Sequence, residues 1–599
     1  MRPRKGRQNI MNNKSSSPIT NGREGRPLNS PAFSAAWGRV LGLALLLLWA
    51  IPSYAGKQAP NKFSPDLQSS ANSFGLIRVN VQYRTFPTKS YLKTHQAGGA
   101  TVHFQLPSIK AVTMTVPAIM LAELEKDPNV VYISPDRPMN MTSNPATEEF
   151  ATAVEADVAA AQYGFDGTGI GVAVIDSGIA THPDLNNASG TSRVVYSQSF
   201  VPLDATTSDK FGHGTHVAGL IGGSGANSGS ANGYSAKFAG IAPNVNIINL
   251  RVLDALGCGT DSQVIAAIQE AITLKNTYNI RVISMSLGRP VFESYTLDPV
   301  DQAVEAAWKA GIVVVAAAGN NGRFALTNGF GTIGVPANDP SVITVGATMT
   351  EQTNTRVDDK IASYSSKGPT VVDHIVKPDL VAPGNAQVSL RVAGSTLDTT
   401  FPQYQVTSAN GNSKYFVLSG TSMATPVVSG AVALMLQQNP ALTPDQVKAR
   451  LMKTAWKGVG QYTYSHDSLG NLYNNEYDLF TYGAGYLDVN AALGSTDLAT
   501  GSALSPTVYF NNNGSVTIAN TTPDSQFAGS SVVWGATSVV WGNSVVWGSG
   551  VISSTSVVWG ATSVVWGSTS MTGYSVVWGA TSTVASGVAA LSEGDPGDN

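Results

Sequence analysis

Three short segments of the chain carry side chains that together could act in nucleophilic catalysis. They contain Asp176 in Val-Ile-Asp-Ser-Gly, His213 in His-Gly-Thr-His, and Ser422 in Ser-Gly-Thr-Ser-Met-Ala-Thr-Pro. A serine hydroxyl is a weak nucleophile at neutral pH, so it needs an imidazole to accept its proton and a carboxylate to hold that imidazole in the right tautomer. An Asp, a His and a Ser in such tightly turning contexts predict a catalytic triad.

The sequence around each residue indicates how the chain would present it. Asp176 ends an apolar strand, where a carboxylate needs a hydrogen-bond donor such as a histidine N–H. Ser422 stands at the start of an apolar helix, whose unsatisfied N–H groups and dipole favour the negative oxygen of a tetrahedral intermediate. Asn320 follows another apolar strand and is a candidate side-chain donor to that oxygen, with a turn-forming asparagine as the alternative.

Three of these residues also allow a structural interpretation. Asp176 would then cap a turn and Ser422 a helix. His213 and His216 lie three residues apart on a predicted helix, a spacing that also occurs at metal sites. Because no carboxylate or thiol is placed nearby to complete a zinc site, His216 is better interpreted as a hydrogen-bonded core residue.

Composition narrows the class of protein. Of the 599 residues, 13% are charged and the net charge is -3, so electrostatics gives no case for nucleic-acid binding. The single cysteine, Cys258, excludes an intrachain disulfide, and stability must then come from the core or from bound ions. A cysteine hydrolase built on Cys258 would lack a paired histidine.

The N-terminus predicts export from the cell. Residues 1–39 are strongly basic, the apolar run Val40–Ile51 follows, and Ser53 and Ala55 fit a small-residue cleavage site. Residues 1–55 are therefore predicted to be a signal peptide of a secreted protein. The apolar run is short of the roughly 20 residues that span a bilayer, although an uncleaved anchor and a start at Met11 remain as alternatives.

Alternating strands and helices predict an α/β region over residues 144–495. Nearly continuous apolar strands are expected at 171–175, 245–252, 282–287, 312–317 and 342–345. Such strands predict a parallel sheet sandwiched between helices, with functional groups at the carboxyl ends of its strands. A helix over 148–162 is expected to lead into the first strand.

A small α+β unit is predicted before this region, over residues 75–138. Strands are expected at 76–81, 112–116 and 130–133. A helix that opens at Pro117 is expected to bury Ile119, Leu121 and Leu124 on one face.

The catalytic segments resemble those of the subtilisin-like serine proteases, the subtilases, over roughly residues 160–495. The resemblance implies a subtilisin-like fold and a serine endopeptidase that acts on proteins and peptides without a cofactor for the chemistry. Asp176 matches the orienting acid, His213 the general base and Ser422 the nucleophile. Asn320 and the backbone N–H of Ser422 match the two oxyanion donors.

The resemblance also implies substrate-binding residues. Two backbone edges that would hold a substrate as an added strand contain Gly257, Cys258, Gly259, Ser286, Leu287 and Gly288. Gly319 and Gly334 match positions that line the pocket for the residue before the scissile bond. A glycine-lined pocket admits large side chains, so a broad apolar or aromatic preference is expected.

Three positions depart from the family pattern or bear on bound ions. Arg289 stands where a small residue is usual, and it would either contact acidic substrate residues or face solvent. Cys258 stands where serine is common, so bulky thiol reagents are expected to block activity. Asp184 matches one ligand of a structural calcium ion, although the loop over 222–237 is longer than in small family members, and calcium binding is kept as a hypothesis.

Residues 56–143 resemble the inhibitory propeptide of the family, most clearly in the segment over 124–136. Such a domain assists folding of a sheet rich in long-range contacts and then blocks the cleft until it is cleaved, here expected between about residues 138 and 150. The resemblance thus implies a self-processed zymogen whose own propeptide is its inhibitor.

The C-terminal region, residues 496–599, supports a second hypothesis. Ser-Val-Val-Trp-Gly occurs six times there, with tryptophans at 534, 541, 547, 559, 566 and 578. Nearly uncharged Val-Val-Trp runs are prone to β structure and to association. The repeats would stack as strands, contact a polymer or the cell surface through their tryptophan faces, or pack on the catalytic domain. The second hypothesis is therefore a surface or adhesion protein in which this tail is the functional part.

Overall fold

The computed structural model describes residues 62–65, 67, 75–139, 150–351, 353, 355–458, 462–467, 470–510, 516–519 and 550–551. All of them belong to one compact unit. The predicted signal peptide and the tryptophans of the repeat tail lie outside the described residues, as does most of the expected cleavage region. Among the described residues, no helix combines the length and hydrophobicity that a membrane crossing needs.

The N-terminal domain, residues 75–139, is an antiparallel sheet with two helices. Its strands are Leu76–Tyr83 (β1), Thr101–Leu106 (β2), Ala111–Pro117 (β3) and Val130–Pro135 (β4), in the order β2-β3-β1-β4. Its helices are Lys89–Ala97 (α1) and Ala118–Lys126 (α2), and the short strand Pro138–Met139 (β5) ends the domain.

Helix α2 differs from the prediction in the face that it buries. Ile119 is exposed, whereas Met120, Leu121 and Leu124 are buried. Five residues separate Ile119 from Leu124, which is about 140° around a helix, so the two side chains point in different directions. Met120 and Leu124, four residues apart, share the inward face instead.

A mostly parallel sheet forms the centre of the second domain. Its strands, with the short β9 in sequence between them, are Gly171–Asp176 (β6), Val194–Ser199 (β7), Asn246–Arg251 (β8), Gly259–Thr260 (β9), Ile280–Met285 (β10), Val313–Ala317 (β11), Ile343–Met349 (β12), Lys360–Ile361 (β13) and Leu380–Pro383 (β14). The order is β13-β12-β11-β10-β6-β8-β7, with β14 also on β12; β13 alone runs antiparallel, and β9 pairs with β5. Strands β6, β10 and β11 are almost wholly buried, as expected for a parallel sheet covered on both faces.

Helices cover this sheet and bring the predicted site residues to one edge of it. They are Phe150–Ala153 (α3), Ala156–Tyr163 (α4), His213–Gly222 (α5), Asp261–Tyr278 (α6), Pro299–Lys309 (α7), Thr396–Thr400 (α8), Thr421–Gln438 (α9), Pro444–Thr454 (α10) and Val489–Gly494 (α11). Helix α9 packs against α5 and against β10, β11 and β12. The single helix predicted over 148–162 is two short helices, because Glu155 takes a left-handed conformation (φ 55°) between them.

Three smaller sheets complete the described structure. Their strands are Gln387–Leu390 (β15), Gln405–Thr407 (β16), Ser413–Leu418 (β17), Tyr462–His466 (β18), Leu472–Glu476 (β19), Thr507–Phe510 (β20), Val516–Ala519 (β21) and Gly550–Val551 (β22). Strands β20 and β21 pair antiparallel. Strand β17 ends three residues before α9, so this sheet delivers Ser422 to the first turn of that helix.

Candidate active site

Asp176 and His213 form a buried hydrogen-bonded contact where β6 ends and α5 begins. The Nδ1 atom of His213 lies 3.0 Å from each carboxylate oxygen of Asp176. An ionised carboxylate only accepts hydrogen bonds, so Nδ1 carries the proton and donates it to Asp176. The lone pair of the imidazole is then on Nε2, which is the tautomer that a general base needs.

The Nε2 atom of His213 is buried and has no hydrogen-bond partner among the described residues. The hydroxyl of Ser422 instead donates to the backbone carbonyl of Ser286, at 3.1 Å. The Ser286 hydroxyl in turn donates to the Ser422 carbonyl, at 2.8 Å. The structure therefore joins Asp176 to His213 by hydrogen bonds, and it joins Ser422 to the segment after β10 rather than to the imidazole.

Asp209 holds the start of helix α5, although none of the sequence motifs contains it. Its Oδ1 atom accepts from the Ser177 hydroxyl (2.8 Å) and from Gly212 N (2.7 Å). Its Oδ2 atom accepts from both the N–H and the hydroxyl of Thr215, each at 2.8 Å. Asp209 thus links the turn after Asp176 to the first turn of α5. Its only signal in the sequence is an acidic residue just before a helix start.

Asn320 lies beside the first turn of α9, and its amide oxygen is anchored there. Its Oδ1 atom accepts from the N–H and from the hydroxyl of Thr421, both at 2.9 Å. The Thr421 hydroxyl also accepts from Gly319 N, at 3.1 Å. Because two donors occupy Oδ1, the Nδ2 group of Asn320 points away from Thr421 and is oriented as a donor.

One predicted substrate edge, which begins at Ser286, lies beside this helix start, and the other, at residues 257–259, directly precedes α6. Ser286 follows β10 directly, and the segment after it pairs with Val335, whose N–H donates to Arg289 O at 2.8 Å. Gly259 lies in β9, and Cys258 beside it is exposed. Gly257 needs to be glycine, because its φ is +76° and an added Cβ would lie 2.8 Å from the Phe211 ring.

Gly319 and Gly334, the predicted pocket residues, are both restricted to glycine by their surroundings. Gly319 has a φ of +108°, and an added Cβ would lie 3.0 Å from the Ser366 hydroxyl. An added Cβ at Gly334 would lie 2.8 Å from the backbone carbonyl of Arg289. The segments over 288–289 and 334–335 therefore approach each other closely next to the anchored Asn320.

Arg289 neither faces solvent nor is placed to meet acidic substrate residues, so both interpretations of it were wrong. It is buried, and its guanidinium contacts both oxygens of Asp261, at 2.7 and 3.0 Å, and Asp298, at 2.6 Å. A buried guanidinium needs such partners, because an unpaired charge in the interior is costly. The two carboxylates lie at the starts of α6 and α7, and strand β10 and the loop after it separate these helices in the sequence.

His216 takes the core position predicted for it. Its Nε2 atom lies 3.1 Å from the carbonyl oxygens of both Gln387 and Phe416. Burial lowers the pKa of His216 to about 3, so the ring is neutral at physiological pH. The described residues contain no group of three or more His, Cys, Asp or Glu suited to holding a metal ion.

The surroundings of Asp184 do not fit a calcium ion. Its Oδ2 atom accepts from the Tyr415 hydroxyl at 2.5 Å, and its Oδ1 atom accepts from the N–H and the amide of Asn227, at 2.9 and 2.7 Å. The guanidinium of Arg193 donates to its backbone carbonyl at 2.8 Å. Calcium needs oxygen ligands with free lone pairs, whereas donors already point at this carboxylate. Calcium binding elsewhere stays a prediction.

The N-terminal domain contacts the second domain at the start of α6. Asp136 accepts from the N–H (2.6 Å) and the hydroxyl (2.5 Å) of Ser262, in the first turn of that helix. The Gln82 side chain donates to Leu297 O at 2.7 Å, just before α7. A carboxylate at a helix N-terminus is favoured by the helix dipole and by the free N–H groups. The end of the domain then continues as β5 along β9, one of the predicted substrate edges.

Comparisons with known proteins agree with the geometry. Residues 167–485 match the Subtilase family, which is peptidase family S8. Serine protease AprX from Bacillus subtilis is 42% identical over 290 residues, which cover 48% of this chain and 61% of that protein. Subtilisin E from the same organism is 35% identical over 402 residues, 66% of this chain and 83% of that protein. Fervidolysin from Fervidobacterium pennivorans, described as a keratinolytic enzyme related to subtilisin, shares the fold with a TM-score of 0.53 at 23% identity, over 72% of this chain and 62% of the other.

Proposed function

The chain belongs to the subtilase family of serine proteases, and on this premise we propose that it is an endopeptidase that cleaves proteins through an acyl-enzyme on Ser422. One observation carries the proposal. His213 has its Nδ1 proton held by Asp176, and its buried Nε2 lone pair has no partner among the described residues. A buried acceptor left unpaired is unfavourable unless a donor, here the proposed nucleophile, meets it during catalysis.

The reaction would begin when the Ser422 hydroxyl turns from the Ser286 carbonyl to Nε2 of His213. The Ser422 oxygen then attacks the substrate carbonyl carbon while its proton passes to Nε2. The carbonyl oxygen becomes negative and is stabilised by the Ser422 N–H and by Nδ2 of Asn320, whose Oδ1 is held by Thr421. The imidazolium returns the proton to the leaving amine, and a water molecule activated in the same way releases the acid product.

A serine-reactive phosphonate probe tests this function directly. We expect covalent labelling at Ser422 in the chain after maturation, and no labelling in the Ser422→Ala variant. A His213→Ala variant should remain folded yet label far more slowly, because the hydroxyl would then lack a base. A matured chain that neither labels nor cleaves casein would overturn the proposal and favour the adhesion hypothesis.

The proposed substrate preference is broad, with an apolar or aromatic residue before the scissile bond. The resemblance to the family supports it, because Gly319 and Gly334 match positions that line the pocket for that residue, and glycine adds no side chain to the pocket wall. Cleavage of a peptide library, read by mass spectrometry, should give large apolar residues at the position before the cut. Enrichment of charged residues there would contradict this preference.

The N-terminal domain is proposed to be an inhibitory propeptide that the enzyme removes from itself. Its contacts with the starts of α6 and α7, and its final strand along β9, support this role because a chain bound there would compete with substrate. We expect the Ser422→Ala chain to stay uncleaved between about residues 138 and 150. Normal processing of purified Ser422→Ala would refute self-cleavage and leave the protease function itself standing.

Secretion and a binding role for the tail complete the proposal. The basic N-terminus with its apolar run supports export, and N-terminal sequencing of protein from the culture medium should show cleavage near Ala55.

The six Ser-Val-Val-Trp-Gly repeats support contact with a polymer or the cell surface. A chain ending after β21, at residue 519, keeps the segment that packs on the second domain through Ser505 and lacks every repeat. It should keep peptidase activity and lose any retention on cells, whereas equal retention would contradict the tail's role.

A further inference from the structure

A guanidinium from the N-terminal domain is buried in an acidic pocket of the second domain. Arg137 is 3% exposed, and its Nη1 atom lies 2.6 Å from Oε1 of Glu293 while Nη2 contacts Oε2 of the same carboxylate. Nη1 also lies 3.7 Å from Asp298 and 3.9 Å from Asp261. The Phe292 ring lies under the guanidinium, 5.1 Å from its Cζ atom. Asp261, Phe292, Glu293 and Asp298 are called the acidic pocket below.

The shape of this pocket suits the planar guanidinium of arginine better than it suits other cationic side chains. A planar carboxylate receives two parallel N–H groups, and an aromatic face covers the guanidinium plane. Lysine offers one ammonium group, which cannot bridge both Glu293 oxygens in this way or stack on Phe292. Every group that lines the pocket belongs to the second domain and would remain there if the N-terminal domain left.

The charges of the pocket require a second cation. Its three carboxylates are buried, and Arg289 neutralises Asp261 and Asp298 through charged hydrogen bonds. Glu293 accepts hydrogen bonds on both of its carboxylate oxygens from Arg137. Burial raises the pKa of both Glu293 and Asp261 to about 7. Departure of Arg137 would therefore leave Glu293 as a buried acid without its guanidinium partner.

The backbone next to Arg137 runs as an added strand. The Arg137 carbonyl accepts from Asp261 N at 2.8 Å, and β5 continues antiparallel along β9. Gly259 of β9 is part of a predicted substrate edge, and the expected cleavage region follows β5 in the chain. Arg137 is thus presented to the pocket as an upstream residue of a bound peptide would be.

We propose that the acidic pocket is a substrate subsite selective for arginine several residues before the scissile bond, and that Arg137 occupies it in the uncleaved chain. The proposal rests on the peptidase function proposed above. It adds a second, charged determinant to the apolar preference at the residue before the cut. Release of the N-terminal segment would open both the strand edge and the pocket to a substrate.

Peptide cleavage by the self-matured full chain tests the subsite. An arginine is moved one position at a time through the residues upstream of one fixed cleavage site, and each peptide is compared with its alanine, lysine and citrulline counterparts. We expect kcat/KM to rise about 10- to 100-fold for arginine at one position only, as charged bidentate hydrogen bonds suggest. In Glu293→Gln the ratio of arginine to alanine peptides should fall close to one. The proposal would be overturned if the unaltered chain cleaved arginine and alanine peptides with equal kcat/KM at every position. It would also be overturned if Glu293→Gln kept the preference for arginine.

A binding test that does not depend on activity separates failure of the subsite from failure of the peptidase function. In the full chain carrying Arg137→Ala and Ser422→Ala, methylguanidinium should raise the unfolding temperature more than its neutral analogue methylurea does. That difference should vanish when Glu293→Gln is added. If the peptides are not cleaved but methylguanidinium still raises the unfolding temperature in this way, the peptidase function is wrong and the pocket is a guanidinium site. If methylguanidinium has no such effect, the subsite is wrong. If the chain carrying Arg137→Ala does not accumulate as folded protein, the ratio of kcat/KM for arginine and alanine peptides in Glu293→Gln decides whether the subsite is correct.

Discussion

Replacing Thr421 with valine removes a hydroxyl that makes two hydrogen bonds next to the proposed oxyanion donor. The hydroxyl donates to Oδ1 of Asn320 at 2.9 Å and accepts from Gly319 N at 3.1 Å. The backbone N–H of Thr421 still donates to Asn320 in the variant, at 2.9 Å in the parent structure. Asn320 would then keep one of these two anchors and orient its Nδ2 group less tightly.

The expected loss follows from what remains. One neutral hydrogen bond contributes about 1 kcal/mol, so we expect kcat to fall about 5- to 10-fold with KM little changed. Asn320→Leu removes the donor itself and should cost about 10² to 10³ in kcat, a range measured for such a donor in subtilisin. Gly319 N loses its acceptor in Thr421→Val, which should also lower the free energy of unfolding by about 1–3 kcal/mol.

The assay is steady-state hydrolysis of a chromogenic peptide by the single variants and by the double variant. Because Thr421 acts through Asn320, the double variant should be no slower than Asn320→Leu alone. Thr425→Val is the matched control: this buried hydroxyl, one turn along the same helix, donates to Thr421 O at 2.9 Å, and its removal should leave kcat unchanged. Independent, multiplying losses from Thr421→Val and Asn320→Leu would refute the anchoring argument.

Three further perturbations test the site and its surroundings. Asp176→Asn should lower kcat about 10⁴-fold without unfolding the chain, because an amide no longer selects the Nδ1–H tautomer of His213; kinetics within tenfold of the parent would contradict this. A bulky maleimide on the exposed Cys258 should block peptide cleavage and spare phosphonate labelling of Ser422, and Cys258→Ser is the control that should not respond. Partial burial of the thiol and the charge of Asp254 raise the pKa of Cys258, so the labelling is done above neutral pH. Burial raises the pKa of Asp339 to about 7, so its stabilising contribution is present below the unfolded pKa near 4 and is lost as the pH rises through 7. Asp339→Asn should therefore have a higher melting temperature than the parent at about pH 8. The same difference in melting temperature at about pH 5 and at about pH 8 would contradict this prediction.

Much of the fold was predictable because its elements are marked locally. Strands β6, β10 and β11 are short Val- and Ile-rich runs whose burial on both faces follows from the parallel sheet. The two short helices in place of the one predicted over 148–162 depend on a left-handed Glu155, which no periodic pattern signals. Ile119 was misplaced for a related reason, since several apolar residues in one helix left its inward face ambiguous.

The site shows the same division. The segments around Asp176, His213 and Ser422 were recognisable because each chemical role needs a particular residue type in a particular turn. Asp209 was missed because it acts through backbone N–H groups of a helix that begins after it. Arg289 was misread because its partners, Asp261 and Asp298, come from two different helix starts.

The amino-acid sequence by itself determined the class of chemistry, the alternation of strands and helices and the family, since these depend on residue type and short-range order. Only the tertiary structure decided which groups face one another. It pairs Nδ1 of His213 with Asp176, turns the Ser422 hydroxyl to the Ser286 carbonyl, and buries Arg137 against Glu293. Such contacts join residues that are distant in the chain, and their energies depend on burial and on the direction of each hydrogen bond, which sequence order does not encode.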